Sequence, residues 1–236
     1  MSQDKPLSGK TALVTGSSKG IGAATAEALA AAGAHVVITG RDVKSLEKVE
    51  DVIHAAGGNA TIAPVDLTET DAVPRLAAAI AGRWDTLDIL VINAAYLPPL
   101  GPVVHIDGKQ FNQALTVNLL APQALLTSFD PLLKRAEAGR VIALTSSVGA
   151  DPRAYWGGYS ATKAALENLL ETYAQEVASI SNIRTAILDP GATRTQMRAR
   201  AYPGEDPATV KEPSVVADRI VSLLAEDFTN RHRERV

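Results

Sequence analysis

The sequence predicts an α/β fold: one domain built on a doubly wound parallel β-sheet with helices on both faces. Three observations predict it. Six short apolar runs rich in Val and Ile recur along the chain, helical patterns lie between them, and the first run opens through a glycine-rich turn into a helix. Runs that are apolar throughout, rather than alternating, belong to strands buried on both faces, which is the mark of a parallel sheet. Regular alternation of strand and helix then gives right-handed crossovers. A chain of 236 residues, 46% hydrophobic and 21% charged, fits one such domain over 1–236.

In chain order, TALVT at 11–15 is the first strand and 22–32 the first helix. HVVIT at 35–39 leads to a helix at 45–56, and ATIAPV at 60–65 to a third helix that starts at the capping box Thr68-Glu69-Thr70-Asp71. DILVIN at 88–93 precedes a long helix at 109–135. RVIALTS at 140–146 precedes another at 159–178, and RTAILDP at 184–190 is the sixth strand. Residues 192–213, rich in Arg, Thr, Pro and Gly, are expected to be an irregular substrate lid before a last amphipathic helix at 214–225. The closing FTNRHRERV at 228–236 makes a poor core strand, so the sheet is expected to end early or be shortened, with Arg231, Arg233 and Arg235 solvated.

Bulk properties narrow the function. A net charge of -3 without a basic block argues against a nucleic-acid partner. The N-terminal MSQDKPLSGK has no signal-peptide core, and the longest apolar stretch, 28–38, is broken by Gly33 and His35, so a soluble cytoplasmic protein without a membrane partner is expected. There are no cysteines, and His35, His54, His105 and His232 are scattered, so no metal site is expected.

The glycine turn Gly16-Ser17-Ser18-Lys19-Gly20-Ile21-Gly22 has two readings. As G-x-S-x-G it would be a nucleophile elbow presenting Ser18. Only fifteen residues precede Gly16, too few to supply the upstream oxyanion loop of that architecture. As G-x-x-x-G-x-G, following a first strand and opening a helix, it is an anion site for a pyrophosphate, as in a Rossmann-like dinucleotide fold. The end of strand two, where an NAD-selecting protein places a carboxylate, holds Gly40 and then Arg41. A guanidinium there, with Lys19 in the loop, fits the 2′-phosphate of NADP. The bland alternative leaves Arg41 solvated and Asp42 capping the next helix.

Tyr159 and Lys163 lie four residues apart on a predicted helix and share a face. A free phenol is a poor acid-base catalyst at neutral pH, but an ammonium and an oxidised nicotinamide beside it both favour the phenolate. Ser146, thirteen residues earlier at the end of the fifth strand, supplies a polarising hydroxyl.

Taken in order, TGSSKGIG, Asp66 after strand three, NAA at 93–95, Asn118 in VNLLAP, Ser146, YSATK and DPGATRT at 189–195 resemble the short-chain dehydrogenase/reductase superfamily over nearly the whole chain. The resemblance implies an NADP(H)-dependent enzyme that moves hydride between nicotinamide and a small alcohol or carbonyl substrate. Tyr159 would be general acid or base, and Lys163 would also hold the nicotinamide ribose. Ser146 would orient the substrate oxygen, and Asn118 would support a water leading protons to Lys163. Gly16, Ser18, Lys19, Gly20, Ile21 and Gly22 would cradle the phosphates, and Arg41 would meet the 2′-phosphate. Asp66 and Leu67 would touch the adenine, Asn93 and Ala94 the adenosine side, and Pro190, Gly191 and Thr193 the nicotinamide end. A homodimer or homotetramer through the fourth and fifth helices is also implied.

Three features depart from the family pattern. Ala95 replaces a glycine, Ser147 competes with Ser146, and the last strand is hard to find. Asn93 could equally cap a strand end, and Tyr155 and Trp156 could line a pocket or pack between subunits. Arg194, Arg198 and Arg200 read more readily as solvated than as a site for an acidic substrate or a cofactor phosphate. The rival function is a non-catalytic NADP-binding sensor or scaffold of the same fold.

Overall fold

The computed structural model describes residues 5–236. Seven strands pair in parallel in the order β3-β2-β1-β4-β5-β6-β7. They are β1 (Thr11–Val14), β2 (His35–Gly40), β3 (Asn59–Pro64), β4 (Ile89–Ile92), β5 (Arg140–Leu144), β6 (Arg184–Asp189) and β7 (His232–Arg235). The helices are α1 (Gly20–Ala31), α2 (Val43–Ala55), α3 (Ala72–Ala81), α4 (Gly108–Leu115), α5 (Ala121–Arg135), α6 (Ser147–Ala150), α7 (Gly157–Val177), α8 (Gln196–Ala201) and α9 (Pro213–Ala225).

Strand residues alternate between two apolar layers. Val14, Val36, Ile38, Val91 and Leu144 pack with Leu29, Leu46, Ile53 and Ile220 of α1, α2 and α9. Leu13, Val37, Leu90, Ile92 and Val141 pack with Leu76, Phe129, Leu133, Leu166 and Leu170 of α3, α5 and α7. Burial on both faces is why the central strands read as unbroken apolar runs. Strand order reverses between β1 and β4, so the crevice for a ligand opens beyond their carboxyl ends.

Five expectations change. The third helix does not start on a capping box: the Thr68 N–H and hydroxyl both donate to the Asp66 carboxylate, and α3 begins at Ala72. The helix expected at 109–135 is interrupted by a π turn over Thr116–Leu120. Pro122 has no N–H to give the Asn118 carbonyl four residues back, so the register slips and the Ala121 N–H reaches Thr116 O instead. The irregular 192–213 segment holds α8 and a 3-10 turn at Pro207–Thr209.

The sheet also does not end at β6. In β7, anchoring comes from polar groups rather than a hydrophobic run. Asn230 accepts from the Thr185 N–H at 3.0 Å and donates to Ala174 O at 3.0 Å, while Arg140 and Arg184 clamp Asp227 at 2.7 and 2.6 Å. The basic tail is paired rather than solvated: Arg231 meets Glu171 at 2.7 Å, Arg233 meets Glu167 at 2.7 Å, and Arg235 meets Asp189 at 3.5 Å. Among the described residues no helix is long and apolar enough to cross a membrane.

Candidate active site

A cavity of about 740 Å³ occupies the crevice at the β1–β4 switch. Its floor is the glycine turn. Gly16 and Gly20 adopt φ of 65° and 58°, a region that side chains avoid. A Cβ on Gly22 would fall 2.3 Å from Gly16 O and 2.5 Å from Asn93 Nδ2. The Ser17 hydroxyl accepts from the Thr39 N–H at 2.8 Å, which ties the turn to β2, and Ser18, Lys19 and Ile21 line the cavity. No side chain caps α1 at Lys19 and no acidic residue occupies its first turn. The free N–H groups and the positive end of the helix face the cavity, which fits a phosphate group.

The far end carries Arg41, Asp66 and Leu67. Arg41 is exposed, 4.0 Å from the Asp66 carboxylate. Asp42 caps α2, its carboxylate accepting from the Ser45 N–H and, at 2.6 Å, from its hydroxyl, while Arg41 stands on the cavity wall. Hydrogen bonds to Thr68 and the Arg41 charge together hold the Asp66 carboxyl below its ordinary range, outweighing burial, which pushes it up most strongly of all. Asn93 and Ala94 both line the wall, and the Asn93 amide donates to Thr15 O at 2.8 Å and Gly16 O at 3.2 Å. Asn93 therefore braces the glycine turn against β4.

At the near end, Tyr159 is 6% exposed and Lys163 2%. Both line the cavity from the first turns of α7. The Lys163 ammonium donates to Leu144 O at 2.7 Å and sits 5.7 Å from the centre of the Tyr159 ring. Burial, with help from Asp189, raises the phenol above its ordinary value, so it is protonated at neutral pH. Burial pulls Lys163 down to about 8, against the Glu167 charge, which pulls it up.

Asn118 is fully buried on the π turn. It accepts from the Tyr96 N–H at 2.7 Å and donates to Tyr96 O at 2.9 Å and Thr162 Oγ1 at 3.0 Å, and Thr162 in turn donates to Tyr159 O. Its side chain thus joins the loop after β4 to α7. Ser146 is the extended residue ahead of α6, half-buried, and the Ser147 hydroxyl accepts from Arg153 at 3.1 Å. The Tyr159 hydroxyl meets Met197 Sδ at 4.0 Å rather than Ser146. Pro190 lines the cavity, but Gly191 turns toward Lys211 and the buried Thr193 hydroxyl donates to Pro190 O at 2.8 Å, so these two shape the loop from behind.

Residues 10–206 match the short chain dehydrogenase family. The chain belongs to that family. It is 33% identical over 224 residues to the uncharacterized oxidoreductase YciK of Escherichia coli, covering 94% of this chain and 88% of the relative. A short chain dehydrogenase from Salmonella enterica serovar Typhi superposes with a TM-score of 0.94 at 30% identity, covering 100% of this chain and 98% of that one. A metagenomic short-chain oxidoreductase in complex with NADP gives 0.84 at 33% identity, covering 98% and 97%.

In this short-chain dehydrogenase, Tyr159 packs in an apolar cluster with Leu97 and Val148, against which Ala95, Leu100, Trp156, Met197 and Ala201 pack. Ala95 and Met197 of that cluster also line the cavity. Trp156 stands edge-on to Tyr159, 6.2 Å between ring centres, while Tyr155 beside it is exposed. Of the three arginines on the 192–213 segment, Arg194 pairs with Glu212 and Arg198 with Glu205 within that segment, and Arg200 donates to Leu97 O at 2.5 Å. Lys19 donates to Gln196 Oε1 at 2.8 Å, joining the glycine turn to α8. Gln196, Met197 and Thr145 are cavity residues the sequence did not single out. Only the Thr195 cap ahead of α8 signals the first two, and Thr145 is visible only as the strand residue before Ser146.

Proposed function

We propose that this chain is an NADP(H)-dependent oxidoreductase that interconverts a small carbonyl compound and its alcohol, with Tyr159 as general acid in reduction and general base in oxidation. One observation carries the reading: a buried, protonated phenol and a buried lysine one helical turn apart end a cavity whose other end is an uncapped helix N-terminus on a glycine turn. When bound, the nicotinamide cofactor supplies or accepts the hydride.

This chain's residues do the rest. The glycine turn holds the pyrophosphate, and Arg41 and Lys19 take the 2′-phosphate, a reading supported by the related oxidoreductase bound to NADP. Lys163 holds the ribose. In reduction the Tyr159 O–H protonates the carbonyl oxygen as hydride reaches the carbon, and the Lys163 ammonium favours the phenolate left behind. Ser146 orients the substrate oxygen, and Asn118 keeps the π turn open for a water that returns the proton through Lys163. The lid at 192–213 closes the cavity over an apolar substrate. We place the enzyme in the cytoplasm as a homodimer or homotetramer through α4, α5 and α7, a face on which Leu120 is 57% exposed.

Titration with NADPH and NADH, followed by a panel of apolar aldehydes and ketones, tests the reading. NADPH should bind more tightly and be oxidised on the panel, whereas binding without oxidation would favour the sensor. Arg41→Ala should weaken NADPH roughly 10- to 100-fold, the worth of a charge-assisted phosphate contact, and leave NADH nearly unchanged. Met197→Ala empties the space facing the Tyr159 hydroxyl. It should change the ratio of kcat/KM between a branched and a linear ketone by roughly tenfold in favour of the branched one.

A further inference from the structure

Glu167 has no part in the chemistry above, yet the fold buries its carboxylate, at 7% exposure, one turn of α7 beyond Lys163. A buried charge is costly unless its surroundings hold it. Here they do so from two strands: the Thr145 hydroxyl donates to Oε1, and Arg233 of β7 donates to Oε2 at 2.7 Å. Leu144 and Thr145 are consecutive at the end of β5, so one receives the lysine and the next grips the carboxylate. Gly149 lies over both side chains. A Cβ there would stand 2.7 Å from Glu167 Oε1 and 3.2 Å from Lys163 Cβ.

We propose that Glu167 is a positioning residue for the reaction: one helical turn beyond Lys163 and held by Thr145 and Arg233, its carboxylate supports the Lys163 ammonium on the Leu144 carbonyl. This rests on the reading of Lys163 as a working group of the oxidoreductase. The charged neighbours are few. On α7 they are Tyr159 and Glu167; from β6 comes Asp189, whose charge reaches Tyr159 and which Arg235 pairs at 3.5 Å; from β7 comes Arg233; and Lys211, near the end of the 192–213 segment, is near Asp189. Of these, Glu167 is the one whose charge opposes the effect of burial on Lys163. The sign follows. Burial alone lowers the lysine, so neutralising Glu167 lowers it further and moves the loss of the ammonium toward neutral pH.

The test is a pH titration of the intact protein labelled with 13C at the lysine ε-carbon, the Lys163 signal being assigned by its disappearance in Lys163→Met. Its midpoint should fall by roughly one pH unit in Glu167→Gln, and the alkaline limb of carbonyl reduction should move down with it. Glutamine can still bond to Thr145 and Arg233, which keeps the fold. Glu167→Asp keeps the charge but withdraws it by one methylene, and should move both quantities less, in the same direction. Unmoved midpoints in both variants, or a uniform loss of rate with the limb in place, would overturn the proposal and leave Glu167 as a bolt between α7 and β7. A wild-type protein that reduces no carbonyl while the midpoints move would instead count against the oxidoreductase reading.

Discussion

Tyr159→Phe should lower carbonyl-dependent oxidation of NADPH by about a hundred- to ten-thousandfold while leaving NADPH affinity within a few-fold. The ring, which packs with Leu97 and Val148 and edge-on to Trp156, is kept. The hydroxyl that is lost meets only Met197 Sδ at 4.0 Å, so its removal leaves no buried donor or acceptor stranded. The melting temperature should therefore stay within a degree or two, and the loss belongs to proton transfer. Steady-state rates measured beside a fluorescence titration of NADPH decide it. Retention of a tenth or more of the wild-type rate would remove Tyr159 from the mechanism.

Gly22→Ala should lower stability by about 2–3 kcal/mol and NADPH affinity by roughly a hundredfold or more. The added methyl meets Gly16 O at 2.3 Å, Asn93 Nδ2 at 2.5 Å and the Gly16 carbonyl carbon at 2.9 Å. None of these is the free end of a flexible chain: two belong to the backbone, and Asn93 Nδ2 is itself pinned to Thr15 O and Gly16 O. The start of α1 must then move off β1, which shifts the N–H groups that face the phosphate. A melt lowered by roughly 4–12 °C is expected for a domain of this size. A variant that melts like wild type and binds NADPH normally would show that the turn is looser than its packing implies.

The first six strands were legible to within a residue or two because short Val- and Ile-rich runs recur between helical patterns, and five of the six are buried through their middle residues. Tyr159, Lys163 and the glycine turn were legible because their spacing carries their geometry: four residues on a helix, and a strand feeding a helix start. What escaped reading depends on partners far away in the chain. Leu144 O, the seat of the Lys163 ammonium, is a backbone atom that any residue would supply. Met197 reaches Tyr159 only because α8 folds back across 38 residues. Arg198 and Arg194 find Glu205 and Glu212 at separations of 7 and 18 residues, which no periodicity announces. The π turn was written in Pro122, whose missing N–H falls opposite the Asn118 carbonyl, but a strong helical pattern on both sides concealed it.

The composition of β7 has one more consequence. A parallel sheet of seven strands has two open rims, and a rim of Val and Ile would offer its unpaired N–H and C=O groups to a strand from another molecule. One rim here is His232-Arg233-Glu234-Arg235, all four polar or charged and all four paired: Arg233 to Glu167, Arg235 to Asp189, Glu234 to Arg219, and His232 to Glu234. An incoming strand would have to desolvate or strip those charges before gaining a single ladder bond. The same four residues that made the strand invisible to a search for hydrophobic runs thus guard the sheet against growing into an aggregate.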